Sequence, residues 1–222
     1  MVFESLNKFY FRGMRKPLTE FIGTFFLMLS IALAFQQNFA NWIPIIVGTT
    51  LTAMIYAGGP ISGAHYNPVI TLAFYLRGGF SAKWIAPYII AQILAAVLAV
   101  LATDLLLAES SLKAVEPILV SIFSVLLAEG LGTFALAFVI LSVSSNPAVK
   151  GNQYYALAIG MTVIGAAYLF GAISGAMLNP AVTVGATLMG LIKASDLWLY
   201  FIAQLIGGGL AVGIFNYIVP ER

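Results

Sequence analysis

The chain has no cysteine and a single histidine, His65. That excludes disulfides, thiol nucleophiles and cysteine-ligated metals, and it leaves no set of imidazoles from which to build a metal site. Charge is scarce too: Asp, Glu, Lys and Arg make up 8% of the 222 residues, hydrophobic residues 61%, and the mean hydropathy is +1.01. A water-soluble domain of this composition could not cover its surface with polar groups. A net charge of +2 with no long basic run gives nucleic acid nothing to bind. No Ser-His-Asp or HExxH constellation is present, so the chain is not read as an enzyme, and nothing in it calls for a cofactor. The opening "MVFESLNKFYFRGMRKP" lacks a short apolar core followed by a cleavage site, and no removable signal peptide is expected.

What the chain does have is long apolar stretches. Six of them, at 18–35, 42–57, 84–107, 118–143, 154–171 and 197–219, are candidate membrane spans. Two shorter ones begin at Asn67-Pro68 and Asn179-Pro180 and run to Gly78 and Gly190. Each would make about 16 Å of helix, half the hydrocarbon thickness. The expected fold is therefore an all-α membrane protein, one domain over 1–222, with six transmembrane helices and two re-entrant half-helices. Threading the spans alternately puts Lys8, Arg12, Arg15, Lys16, Arg77, Lys83, Lys150 and Arg222 on one side and only Lys113 and Lys193 on the other. By the positive-inside rule both termini are expected in the cytoplasm, the protein being multi-pass in the cell membrane.

The two halves repeat. At an offset of 112 residues, Ile61-Ser62-Gly63-Ala64, Asn67-Pro68 and Thr71 match Ile173-Ser174-Gly175-Ala176, Asn179-Pro180 and Thr183. The match continues from Tyr88, Ile90, Ala91 and Gln92 to Tyr200, Ile202, Ala203 and Gln204, and "TEFIGTF" from Thr19 is echoed by "AEGLGTF" from Ala128. The repeats cover approximately 17–108 and 118–219. Three full spans per repeat is an odd number, so the second copy inserts upside down.

Inversion explains why Gly, Asn and Pro sit inside apolar stretches. Backbone at membrane depth must be hydrogen-bonded internally, so an irregular loop such as 62–66 is tolerated only where protein encloses it or a wet cavity borders it. Asparagine is a good N-cap, and proline suits the first turn because its missing N–H would be unpaired there anyway. Each Asn-Pro then starts a half-helix near the midplane, and two positive dipole ends point at one centre. Gly63, Ala64, His65 and Gly175 would border the lumen, their small neighbours letting backbone carbonyls face it.

"ISGAHYNPV", "ISGAMLNPA", the paired "EFIGTF" and "EGLGTF" and the repeated Gln92 and Gln204 resemble the aquaporin or major intrinsic protein family over essentially the whole chain. The resemblance implies a homotetramer in the lipid bilayer, each subunit passing water or small neutral solutes down their gradients. It implies that Asn67, Pro68, Val69, Asn179, Pro180 and Ala181 form the pore centre, with the two asparagines donating hydrogen bonds to the permeant. Val69 stands where the family usually has alanine. The larger departure is Val182, where the family usually carries an arginine that narrows the outer mouth. Counting gaplessly from the two asparagines places the rest of that constriction at Val47, Ala167 and Ala176. All four are small and apolar, which suits solutes larger than water: glycerol, urea, or metalloid acids such as arsenite.

Glu20 and Glu129 are acidic groups inside spans one and four. Their matched placement suggests loop anchors, with Gln92 and Gln204, each carboxylate accepting N–H bonds from a re-entrant loop. The other reading is an ion-coupled secondary transporter of a small solute, with one of the two as the coupling site. Gly207, Gly208 and Gly209 suggest close helix packing on span six, and Trp42, Trp84 and Trp198 interfacial anchors. The missing cysteine makes one expectation immediate. Mercurials directed at thiols should leave flux through the protein unchanged in a vesicle swelling assay, and any block would have to act elsewhere than on a thiol.

Overall fold

The computed structural model describes residues 2–107 and 121–220. Among them run eight α-helices: α1 (Val2–Gln36), α2 (Ile43–Ser62), α3 (Pro68–Leu76), α4 (Ile85–Leu107), α5 (Ile122–Ser144), α6 (Tyr155–Ser174), α7 (Pro180–Leu188) and α8 (Leu197–Ile218). Six of the eight, all but α3 and α7, are long and apolar enough to cross a membrane. The half-helices α3 and α7 have 9 residues each, about 13 Å, and cannot span. The fold is the expected all-α arrangement of six spans and two half-helices.

On the long helices apolar residues face both the lipid and the interior. Residue size does the sorting instead. In α4 the outward Leu94, Leu98, Leu101 and Leu105 are exposed, while Gln92, Ala95, Ala96, Ala99 and Thr103 are buried. Large aliphatics meet hydrocarbon, and small residues let helices approach where lipid gives no hydrophobic drive to pack. The contacts follow the repeat. Helix α1 packs on α4 as α5 packs on α8, α1 on α2 as α5 on α6, and α2 meets α6 across the centre. At that crossing a Cβ on Gly160 would lie 2.6 Å from the Gly48 carbonyl oxygen, so neither backbone could come as close with a side chain between them.

Several boundaries differ from the sequence expectation, each for a local reason. Helices α2 and α6 run on past the apolar windows to Ser62 and Ser174. Hydropathy falls at their Gly- and Ser-rich ends, but the backbone bonds continue until Gly63 (φ 92°) and Gly175 (φ 86°) turn left-handed and close them. Helices α3 and α7 stop at Leu76 and Leu188 because Gly78 (φ 84°) and Gly190 (φ 79°) turn the chain back. Helix α5 begins at Ile122, where the Ser121 hydroxyl accepts from the Ser124 N–H at 3.1 Å. The expected start at 118, Lys113 and Arg222 lie outside the described residues.

The glycine run of α8 divides by function. Gly207 lets the Gly130 backbone approach, and a Cβ on Gly208 would collide with Cγ1 of Val69 on α3, whereas Gly209 faces open space. Gly209 is thus no part of the packing, since it lies a third of a turn away from the contact face. The Val69–Gly208 pair also answers the departure at Val69: two extra methyls are housed by a missing one. At the matching positions of the other half stand two alanines, Ala181 and Ala96. Gly208→Ala should therefore cost about 1–3 kcal/mol by overpacking, and Val69→Ala in the same chain should restore most of it. Thermal unfolding in detergent of the two single variants and the double checks this; strictly additive losses would contradict it.

Candidate functional site

The two irregular loops, 63–67 and 175–179, are built alike. Ala64, Tyr66, Ala176 and Leu178 all hold positive φ, between 49° and 51°, a left-handed conformation costly for side-chain-bearing residues. Alternating conformations of this kind turn successive N–H groups to one side, toward a buried carboxylate. Glu20 Oε1 accepts from the Ser62 hydroxyl at 2.6 Å and the His65 N–H at 3.0 Å, and Oε2 from the Tyr66 N–H at 2.7 Å and Gln92 Nε2 at 2.8 Å. Glu129 repeats the pattern with Ser174 at 2.6 Å, Met177 N–H at 2.9 Å, Leu178 N–H at 2.8 Å and Gln204 Nε2 at 2.8 Å. Both carboxylates are fully buried, and four donors on each offset what their burial would otherwise cost.

The side-chain amides of the two glutamines bond to the glutamates and the half-helices rather than to the loop backbone. Gln92 Nε2 also reaches Thr71 Oγ1 at 3.1 Å, and Gln204 Nε2 reaches Thr183 Oγ1 at 3.0 Å, so each ties its glutamate to a half-helix and braces the loop indirectly. Further pairs that sequence reasoning left without a role complete the frame. The hydroxyls of Tyr88 and Tyr200 donate to the carbonyls of Ser62 and Ser174 at 2.6 and 2.8 Å. The Tyr66 ring lies against Gly23 and the Leu178 side chain against Gly132, where any Cβ would collide. The glycine of "IGTF" and "LGTF" is a seat for the loop. The tyrosines at 88 and 200 and the two glycines stood in matched segments, which marked them without saying what they do; Tyr66 and Leu178 differ between the repeats and carried no such mark.

At the loops' inner ends stand the asparagines. Asn67 (φ −156°) and Asn179 (φ −157°) are extended, and their Oδ1 atoms accept from the N–H of Val69 and Ala181, both at 2.9 Å, with Pro68 and Pro180 opening the helices. The side-chain amides cross between the halves: Asn67 Nδ2 donates to the Leu178 carbonyl at 2.9 Å and Asn179 Nδ2 to the Tyr66 carbonyl at 2.8 Å. An amide nitrogen has two hydrogens. One locks the opposed half-helices together, and one on each asparagine remains for whatever occupies the space beside it.

That space is a cavity of about 1050 Å³, bordered by both asparagines. One end is bounded by Lys16, Gly79, Phe80 and Asn152, near the start of the apolar part of α1 (Gly13–Gln36), and the other by Phe35, Asn41, Pro44 and Tyr168, near its end, so it runs the length of the bundle. Four helices each give it an apolar stripe at helical spacing: Leu27, Ile31 and Phe35; Val47, Leu51 and Ile55; Leu136, Ile140 and Val143; Ile159, Val163 and Ala167. Gly63, Ala64, His65, Gly175 and Ala176 border it along the loops, and Val47, Ala167, Ala176 and Val182 all stand on its wall. His65 is stacked on Phe74 with ring centroids 4.6 Å apart and flanked by Phe80 and Tyr88, its Nδ1 3.2 Å from Thr71 Oγ1.

A membrane-spanning bundle with one long axial cavity and two opposed half-helices makes a channel geometry, and the comparisons give it a family. The family model described as major intrinsic protein matches residues 6–150 and 119–222. The chain belongs to the major intrinsic protein family. Similar proteins include Aquaporin AqpM of Methanothermobacter thermautotrophicus, 31% identical over 93% of this chain and 98% of that one, and Aquaporin NIP1-1 of Zea mays, 31% identical over 92% of this chain and 74% of that one. The aquaglyceroporin of Plasmodium falciparum superposes with a TM-score of 0.81 over 93% of this chain and 97% of its own, at 22% identity, a likeness of fold. A multi-pass channel of this family is not an enzyme.

For a major intrinsic protein, then, the glutamates carry the frame of the pore. Glu129→Gln should turn an all-acceptor group into one that confronts four donors with an amide, and at least one bond is lost at about 1–3 kcal/mol. We expect a lowered unfolding midpoint and weakened solute flux. Ser174→Ala, which removes one donor and leaves the carboxylate three, should do less. The order is read from thermal unfolding together with vesicle flux, and a Glu129→Gln protein as stable as wild type would contradict it.

Proposed function

We propose that this protein is a passive channel for water and for small uncharged solutes larger than water, with Val47, Ala167, Ala176 and Val182 as its selectivity filter. The observation that carries the proposal is the cavity wall at Val182: at the end of the cavity bounded by Phe35 and Tyr168, none of the described lining residues is cationic. Four small apolar side chains leave width and offer no hydrogen bond. Orientation of a polar solute falls to the free amide hydrogens of Asn67 and Asn179 and to loop carbonyls.

Glycerol, urea and undissociated metalloid acids such as arsenite fit a neutral pore of this width, and a relative named as an aquaglyceroporin shares the fold. Charged species meet two half-helix N-termini aimed at the centre and an apolar wall without counter-charges. The chain works as a homotetramer with one pore per subunit, with both termini in the cytoplasm and the Tyr168 mouth outside. Ion-coupled transport fits less well, because Glu20 and Glu129 are fully buried and each already accepts four hydrogen bonds.

In proteoliposomes the wild type should pass water, glycerol, urea and arsenite down their gradients without saturating at low concentration. Val182→Arg should cut glycerol and urea flux by about tenfold or more, the effect of a lost fit worth about 1.4 kcal/mol, and spare water. Water flux without glycerol, urea or arsenite flux in the wild type would remove the proposal.

A further inference from the structure

The cavity wall carries one charged side chain among the described residues, Lys16. It lies on α1 one turn before Glu20, at the mouth opposite Val182. Its position is specified: Nζ stands 5.8 Å from the centroid of the Trp84 ring, within range of a cation–π attraction. Lys83, from the turn that precedes α4, also stands 5.8 Å from the same ring but does not line the cavity. Trp84 thus has two ammonium groups beside it, and only one of them faces the pore.

From this we infer that Lys16 is a selectivity residue, a cation guard at the inner mouth of a pore whose outer mouth has none among the described residues. The inference rests on the channel reading. A fixed positive charge at a mouth walled by low-dielectric protein repels cations from the entrance and leaves neutral solutes unaffected by its charge; such focused fields change local ion concentrations by about tenfold or more. Lys16 is exposed, so salt screens it over about 8 Å at physiological ionic strength. Placing the charge at the entrance rather than in the narrow part keeps the bore wide: the ammonium deters cations, and the apolar filter leaves room for bulky neutral molecules. Val182 and Lys16 together separate two tasks, narrowing and charge exclusion, that one filter arginine would combine.

The test compares potassium flux with glycerol flux in the same proteoliposomes at about 10 mM salt, where the field reaches about 30 Å. Four variants are measured beside the wild type: Lys16→Met, Lys16→Glu, Lys16→Arg and Lys83→Glu. The potassium-to-glycerol ratio should rise several-fold in Lys16→Met and about tenfold in Lys16→Glu, stay at the wild-type value in Lys16→Arg, rise clearly less in Lys83→Glu than in Lys16→Glu, and lose its increment near 1 M salt, where the Debye length is about 3 Å. A wild-type ratio in both Lys16→Met and Lys16→Glu would overturn the inference, and so would an equal rise in Lys83→Glu, which would make the effect one of general surface charge. If Lys16→Glu fails to insert, Lys16→Met decides. Wild-type vesicles that passed neither water nor glycerol would instead fault the channel reading, and this inference with it.

Discussion

A carboxylate buried beside an irregular loop is the constraint on which this structure turns. Backbone that leaves the helix at membrane depth exposes N–H groups that hydrocarbon cannot satisfy. Here the chain meets that demand twice with the same device, a glutamate on the first helix of each repeat collecting a serine hydroxyl and two consecutive backbone N–H groups, with a glutamine behind it. Without such acceptors the left-handed residues at 64, 66, 176 and 178 would have nothing to hold them, and the asparagines could not be presented to the axis. Those asparagines then fasten the two halves through reciprocal bonds to Leu178 and Tyr66. Frame and pore are one hydrogen-bonded unit.

The repeats are symmetric where the frame is concerned and unequal where solute passes. Glutamate, serine, glutamine, tyrosine and asparagine recur at matched positions with bond lengths that agree within about 0.2 Å. The wall differs. One half brings His65 and its aromatic neighbours to the lumen, the other Met177, and the stripes of α2 and α6 place Ile55 opposite the pattern of Ala167. Internal satisfaction of backbone leaves little freedom, whereas a lumen can be relined without unfolding anything. The Val69–Gly208 exchange shows the same tolerance within the packing, one bulky side chain taken up by a neighbour that has none.

Much of this was legible in the residues before any coordinates. Composition identified the solvent, the odd number of spans per repeat required inversion, and Asn-Pro at both half-helix starts was readable from capping chemistry alone. The roles of the matched residues were less legible. Gln92 and Gln204 read as loop anchors, but they reach the half-helices through Thr71 and Thr183, because side-chain direction is set by how α4 and α8 pack. Gly23 and Gly132 stood in the paired "IGTF" and "LGTF" segments without a role, and only the approach of Tyr66 and Leu178 explains them. Gly209 belonged to a conspicuous run but faces outward, since a helix turns about 100° per residue. Helix ends at 62 and 174 escaped the apolar windows because hydropathy reports the solvent and not the hydrogen bond.

The central claim is that Val182 lines the wall of the axial cavity with no long cation over it among the described residues. A chain without cysteine allows that to be tested at one atom. Val182→Cys should leave glycerol flux measurable, react with a membrane-impermeant thiol reagent added to the outer solution, and lose flux as it reacts, while the wild type is indifferent to the reagent. A cysteine at 182 that stays unmodified while glycerol still flows, or that reacts without any loss of flux, would contradict the account.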